Sequence, residues 1–329
     1  MKKTCNIEYK DIISMENLLL AWKEFLNGKN KKEDVQEFQR NLMANIISLH
    51  HDLTDKTYTH GGYKAFNIAD PKPRNINKAS VRDRLLHHAI YRILYLFFDR
   101  TFISYSYSCR LGKGTHKAIS RFIDFIRKVS KNNTRTCWIL KCDIKKFFAS
   151  IDHQILIKIL KEYIKDEDVN WLLERIISSF NNGKENTGLP LGNLTSQLLV
   201  NIYMNKFDQF IKHKLKVKYY IRYADDFVIL SEEKDYLWEL VPKISDFLDE
   251  ELKLSLHPNK LFVKTLSSGV DFLGWVHFPN HRVLRTATKR KMFRNIKAKE
   301  ENENVIASYL GMLRWGNTHK LSEKIKLSH

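Results

Sequence analysis

The 329-residue sequence is short of cysteine, of acid and of long apolar runs, and each shortage excludes something. Only four cysteines occur, Cys5, Cys109, Cys137 and Cys142. None has a metal-ligand spacing, and Cys137 and Cys142 would face opposite sides of a strand, so the thiols read as reduced and structural. No run approaches 18 apolar residues, and the N-terminus, MKKTCNIEYKDII, has no apolar core before its charges resume. A spanning helix, a secretory signal and a membrane-surface role are therefore not expected, and a cytoplasmic protein is. Acid is the scarce charge: 37 Asp and Glu against 56 Lys and Arg leave a formal charge of +19. The basic excess runs along the whole chain instead of forming a tail, which favours a polyanionic partner. With 43% hydrophobic and 12% aromatic residues the chain folds, into one large core or two to three lobes.

Two stretches carry the acid that is present. In Tyr219-Tyr220-Ile221-Arg222-Tyr223-Ala224-Asp225-Asp226-Phe227-Val228-Ile229-Leu230, aromatic and β-branched residues fill two strand arms, and an acidic pair sits where the chain reverses. Adjacent carboxylates repel each other, so the pair is either a solvated turn or half of a metal site. Magnesium takes oxygen ligands and keeps positions open for substrate phosphates. In residues 138–148 a short apolar strand delivers Asp143 at its C-terminal end, and Asp152 then caps a helix starting near Gln154. Asp143 can meet Asp225 only in a fold that sets the two strands side by side, about 4.8 Å apart. Phe147 and Phe148 are either core or neighbours of that site.

The rest supplies frame and charge. Ser14 caps a helix that stops at Gly28, and a second helix carries Val35, Phe38, Leu42, Ile46 and Leu49 on one stripe. His50 and His51 at its end read as surface or capping residues. Residues 54–70 look irregular, 74–77 alternate like a short strand, and Ser80 caps a helix through Leu85, Ala89 and Ile93. Arg74, Arg82 and Arg84 cluster at this corner, as a solvated face or as forks for phosphate oxygens. The loop 107–114 matches no P-loop and precedes a helix capped by Thr115. After two more helices, residues 152–163 and 166–180, comes Thr187-Gly188-Leu189-Pro190-Leu191-Gly192-Asn193-Leu194-Thr195-Ser196-Gln197. Its glycines and proline force a turn with close backbone approach. Beyond the hairpin the pattern predicts a helix over 233–252, kinked or restarted at Pro242, and strands around Leu254, Phe262 and 271–278. A basic segment with Lys289, Arg290 and Arg294 follows, then a helical stripe of Val305, Ile306, Tyr309, Leu310, Leu313 and Trp315.

Asp143 with Phe148, the loop GLPLGNLTSQ, the hairpin YADDFVIL, Lys260 and Phe272-Leu273-Gly274-Trp275 together resemble a reverse transcriptase in order and spacing, over about residues 60–320. The resemblance implies an α+β right-hand polymerase. It has an N-terminal helical extension (1–53), fingers (54–130 with part of 154–190), an antiparallel-sheet palm (131–285) and a helical thumb (286–329). It implies an RNA-directed DNA polymerase, a nucleotidyltransferase, with Asp143, Asp225 and Asp226 catalytic and, with Ile144, holding two Mg2+ ions. It further implies nucleotide binding by Lys72, Arg74, Phe147, Phe148, Leu191 and Lys260. Phe148 would be the gate against a 2′-hydroxyl, and Lys260 would assist pyrophosphate departure. Template or fidelity contacts fall to Arg84, Leu191 and Gln197, and backbone contacts to Lys289, Arg290 and Arg294. The partners implied are a template RNA, the cDNA/RNA duplex and dNTPs.

Most such enzymes carry Gln where this chain has Leu191 and Pro where it has Gln197. The Leu-Gly-x-x-x-Ser-Gln sequence instead resembles the reverse transcriptases of diversity-generating retroelements, and the compact length without a maturase or endonuclease extension agrees. That variant implies error-prone copying of a template-repeat RNA, with misincorporation at adenines, to diversify a target gene. It also implies a small basic oligomeric accessory protein and a bacterial, archaeal or phage-encoded origin. A retron or group II intron type enzyme and a catalytically silent RNA-binding relative are the alternatives.

Overall fold

The computed structural model describes residues 6–68, 73–298 and 302–327. The chain forms two compact units. The first gathers Met1–Arg110, Ile144–Lys216 and Ile244–Leu256, and the second Leu111–Asp143, Val217–Lys243 and His257–His329.

The first unit begins with α1 (Tyr9–Ile13) and α2 (Met15–Phe25), the latter capped by Ser14 accepting from the Asn17 amide. The predicted second helix is in fact two, α3 (Glu33–Arg40) and α4 (Leu42–Thr54), because Asn41 leaves the helical region at φ −118°, ψ 37°. Val35, Ile46 and Leu49 are nevertheless all fully buried. The stretch expected to be irregular contains β1 (Tyr63–Ile68), paired antiparallel with β2 (Arg74–Ala79) from Tyr63↔Ala79 to Ile68↔Arg74. Most of β1 is exposed, so it has no apolar alternation to read. Ser80 then caps α5 (Val81–Phe98), its side chain accepting from the Asp83 amide, as expected.

In the second unit α6 (Thr115–Val129) packs on the hairpin strands. Its cap is Gly114 (φ 110°), not Thr115, whose hydroxyl donates to Tyr223 Oη at 3.1 Å. The strand β3 (Trp138–Asp143) follows. The first unit resumes with a 3-10 turn (Phe147–Ser150), α7 (His153–Tyr163) capped by Asp152, α8 (Glu167–Ser178), and α9 (Leu194–Gln209) running into a π-helical turn, Phe210–Lys214.

The hairpin arms are β4 (Tyr220–Tyr223) and β5 (Asp226–Ser231). A single helix α10 (Lys234–Leu252) runs through Pro242 without restarting. Residue 254 lies outside any strand, and only Leu256 makes a single bridge, to Ile144. With β6 (Phe262–Thr265) the second unit completes a four-stranded sheet of order β4-β5-β3-β6, antiparallel throughout. A three-stranded sheet of β7 (Val270–Phe272), β8 (Trp275–His277) and β9 (Arg282–Leu284) precedes α11 (Thr286–Ala298), α12 (Glu303–Leu313) and α13 (His319–Leu327). Trp275, Leu284, Met292, Ile296, Leu313 and Ile325 close one apolar core there. No described helix is long and apolar enough to cross a membrane.

Candidate active site

The second unit brings Asp143 and Asp226 together by sheet register, with Asp225 next to them in the turn. Antiparallel pairing of β3 with β5 sets Asp143 directly opposite Asp226, so both carboxylates rise from the same face. Tyr223 pairs with Asp226, which leaves Ala224 and Asp225 as a two-residue hairpin loop. Ala224 takes φ 56°, at the loop position where glycine is usual, so the turn is held against its own preference. Part of what holds it is Arg222, fully buried within the apolar arm, whose Nη1 donates to the Ala224 carbonyl at 3.0 Å. Sequence reasoning passed over Arg222, although an arginine inside an otherwise apolar strand arm was a readable signal.

Two lysines face the acids. Lys141, two residues before Asp143 and so on its face of β3, places Nζ 3.3 Å from Asp226 Oδ2. Lys260 Nζ donates to Asp143 Oδ1 at 2.9 Å. Lys141 was not foreseen, yet the i, i+2 spacing from Asp143 would have found it. Asp226 Oδ1 is buried without a hydrogen-bond partner. Desolvation pushes the Asp226 carboxyl up to about 6 despite Lys141, and the charges of Asp143 and Asp225 push the same way.

This gives a pH prediction. A carboxyl whose pKa is raised in the folded state binds its proton more tightly there than in the unfolded chain. Its contribution therefore favours folding below about pH 4 and is lost as pH rises towards about 6. With a chelator present, Asp226→Asn is expected to raise the unfolding midpoint near neutral pH and to flatten its decline between about pH 4 and pH 6. Thermal unfolding across that range checks it, and an unchanged profile would contradict the burial of this group.

Among the described residues no three carboxylate, imidazole or thiolate groups converge closely enough to enclose a cation. Magnesium in phosphoryl-transfer sites is held by one or two carboxylates and completed by substrate phosphates, so an open arrangement suffices. The partnerless Asp226 oxygen opposite Asp143 fits such an open site. Ile144 offers no side-chain ligand: it is an aliphatic residue, 1% exposed, in the bridge to Leu256.

In the first unit, Phe148 and Leu191 line one cavity of about 600 Å³ with Asn75, Asn77, Lys146 and Asn182. The glycine loop is laid along β2, with the Asn77 amide donating to Leu191 O at 3.0 Å and Asn193 Nδ2 donating to Asn77 O at 2.8 Å. Gly192 allows this at φ 110°, where an added Cβ would meet an Ile76 methyl at 2.7 Å. Phe147 is core, edge-on to Phe148 with ring centroids 5.5 Å apart.

The remaining expected residues lie elsewhere. Arg74 is exposed at the start of β2 and does not line the cavity. Lys72 is outside the described residues. Arg84, expected at the template, pairs through its guanidinium with Asp34 at 2.5 Å and lies over the Phe25 ring. Arg82 pairs likewise with Asp52. Carboxylates of the N-terminal helices thus neutralise two of the three arginines of this basic corner, Arg82 and Arg84. Gln197 is half-buried in the first turn of α9. Lys289, Arg290 and Arg294 are exposed on α11, whose Met292 and Ile296 are buried.

Comparison with known proteins adds the following. Residues 68–277 match the family described as reverse transcriptase (RNA-dependent DNA polymerase). The chain is 25% identical to protein YkfC of Escherichia coli, covering 74% of this chain and 72% of that one. It is 23% identical to the group II intron-encoded protein LtrA of Lactococcus lactis, covering 73% and 50%. To a putative COX1/OXI3 intron 2 protein of Saccharomyces cerevisiae it is 24% identical, covering 66% of this chain and 31% of the yeast protein. It therefore spans about a third to a half of the latter two. Among solved structures, a Candida tropicalis apo telomerase truncated from its C-terminal domain superposes with a TM-score of 0.52 at 14% identity, over 74% of this chain and 60% of that one. That likeness confirms the α+β polymerase fold.

Proposed function

The chain belongs to the reverse transcriptase family, and from that premise we propose that it copies RNA into DNA, joining dNTPs to a primer end by nucleotidyl transfer. The observation that carries this reading is the register that opposes Asp143 and Asp226 beside the Asp225 turn. In the step, the primer 3′-oxygen bonds to the α-phosphorus as its proton passes to solvent water, and the bond to pyrophosphate breaks. Two magnesium ions, when bound, supply acidity to the 3′-hydroxyl and neutralise charge on the triphosphate. Asp143 and Asp225 would provide the main anionic ligands for them, and Asp226, whose charge burial penalises, a weaker one. Lys260, poised on Asp143, supplies a cation and a proton to the leaving pyrophosphate. Phe148 rejects a 2′-hydroxyl by steric clash. Arg74 and Lys72 bind the triphosphate, and the exposed Lys289, Arg290 and Arg294 bear on the cDNA/RNA duplex backbone. Primer extension on an RNA template with dNTPs and magnesium tests the reading; a protein giving no product on any primed RNA would refute it.

At finer grain we assign the chain to the diversity-generating type, acting in a cytoplasm on a template-repeat RNA with a small basic accessory protein. Leu191 and Gln197 support this. A group II intron type enzyme is the second reading, favoured by the likeness to LtrA. Leu191 separates them physically, because an apolar side chain offers no hydrogen bond to a correctly placed nucleotide. One such contact is worth roughly 10- to 100-fold in discrimination. Leu191→Gln is expected to lower misincorporation at template adenines by about tenfold, read by sequencing the cDNA. Unchanged error frequencies would remove Leu191 from fidelity.

A further inference from the structure

The second unit holds a cavity that the polymerase reading does not use. It has a volume of about 310 Å³ and is bordered by Arg127, Asn133, Phe278, His281, Arg282 and Asn317, with no carboxylate in its lining. That volume is at the small end of the range for ligand pockets, about 300–1,000 Å³. The cavity is remote from the acidic turn. Thr115, at one end of α6, touches Tyr223, whereas Arg127 lies about 18 Å further along the same helix at 1.5 Å per residue.

Its charge is uncompensated. Among the described residues neither Arg127 nor Arg282 has an ion pair with a carboxylate. The Arg282 guanidinium is held over the Trp275 ring, 5.6 Å from its centroid, and its backbone is fixed on both sides by Asn317. Burial pushes its pKa below the ordinary arginine value. A cation partly withdrawn from water, with no counter-ion, is stabilised by any anion that fits beside it, and guanidinium forks match phosphate oxygens.

The other wall is planar. Phe278 and His281 stack with ring centroids 4.7 Å apart and planes 11° from parallel. Asn133 Nδ2 locks their turn by donating to Pro279 O at 3.2 Å and Asn280 Oδ1 at 3.0 Å. A rigid aromatic face beside two arginines is the pairing that nucleic-acid-binding grooves use for base and phosphate.

We propose that this cavity binds a nucleoside phosphate, with the phosphate on Arg127 and Arg282 and the base against the Phe278–His281 stack. The ligand is either a free nucleotide or one unpaired nucleotide of an RNA strand. The site needs neither metal nor the acidic turn, so it stands or falls apart from the polymerase reading.

The test uses the full chain in EDTA, with AMP or an unstructured RNA octamer as probe, and reads hydrogen exchange over residues 277–283 together with affinity by titration. Slowed exchange with both probes supports the proposal with a free nucleotide as sufficient ligand; slowed exchange with the octamer alone supports it with a strand as ligand. Arg127→Ala is expected to weaken binding by about tenfold while leaving extension of a pre-annealed primer unchanged. His281→Ala is expected to weaken AMP more than inorganic phosphate. Exchange unaffected by either probe, or wild-type affinity in Arg127→Ala, overturns the proposal.

Discussion

Asp225→Ala is expected to cut the rate of cDNA synthesis by about 10³-fold or more, a barrier increase of roughly 4 kcal/mol. The expectation follows from how charge is shared among the three acids. Burial draws Asp226 towards its neutral form, with a carboxyl pushed up to about 6, and Lys141 already occupies its Oδ2. On the proposed reading the anionic ligation of a divalent cation is expected to fall mainly on Asp143, which is opposed to Asp226 across the sheet, and on Asp225 at the turn. Asp143→Ala is expected to be as damaging, and Asp226→Asn less so. Asp225 sits in the hairpin loop outside both strands, so a denaturation curve of the variant separates loss of the reaction from loss of the fold. Single-turnover primer extension at saturating magnesium, beside that curve, checks the expectation. Extension within tenfold of the parent would remove Asp225 from the reaction.

The largest stability effect is expected at Arg222. It is the largest of the fully buried side chains among the described residues, on the edge strand β4 of the sheet that carries the site, and it braces the Ala224 carbonyl at the strained turn. Leaving a buried acceptor without its donor typically costs about 1–3 kcal/mol, and more where the lost donor was charged. Arg222→Met should therefore lower stability by about 3 kcal/mol and, where the chain still folds, reduce extension through loss of the turn geometry. Arg222→Lys keeps the charge but not the planar fork, so it should recover part of the stability and less of the activity. Urea denaturation of the three proteins, with extension measured well below each midpoint, separates the two effects. A Met variant within about 1 kcal/mol of the parent would show that the arginine braces nothing.

Much of the site could be read from the chain alone, because it depends on local chemistry. The arms of the hairpin are apolar and β-branched with acid at the reversal, and the structure makes them β4 and β5 around Ala224-Asp225. The strand ending at Asp143, and the caps at Ser14, Ser80 and Asp152, likewise depend on neighbours a few residues away. Where a segment's local signal was weak, the reading failed: β1 is mostly exposed and carries no alternation, and the break at Asn41 lies within an unbroken apolar stripe.

Long-range partnership was decided only by the tertiary structure. No periodicity states that Asp143 stands opposite Asp226 and not one residue away, yet that single register puts the carboxylates on one face. Nor does a basic cluster announce its counter-ions: Arg82 and Arg84 looked free for phosphate until Asp52 and Asp34 were folded against them. Conversely, Arg127 and Arg282 drew no notice in the sequence and came together in the structure without acid. Composition determined that the protein would be basic and would seek a polyanion. Which of its cations remain free to do so depends on which segments meet, since a charge is neutralised through space and not along the chain.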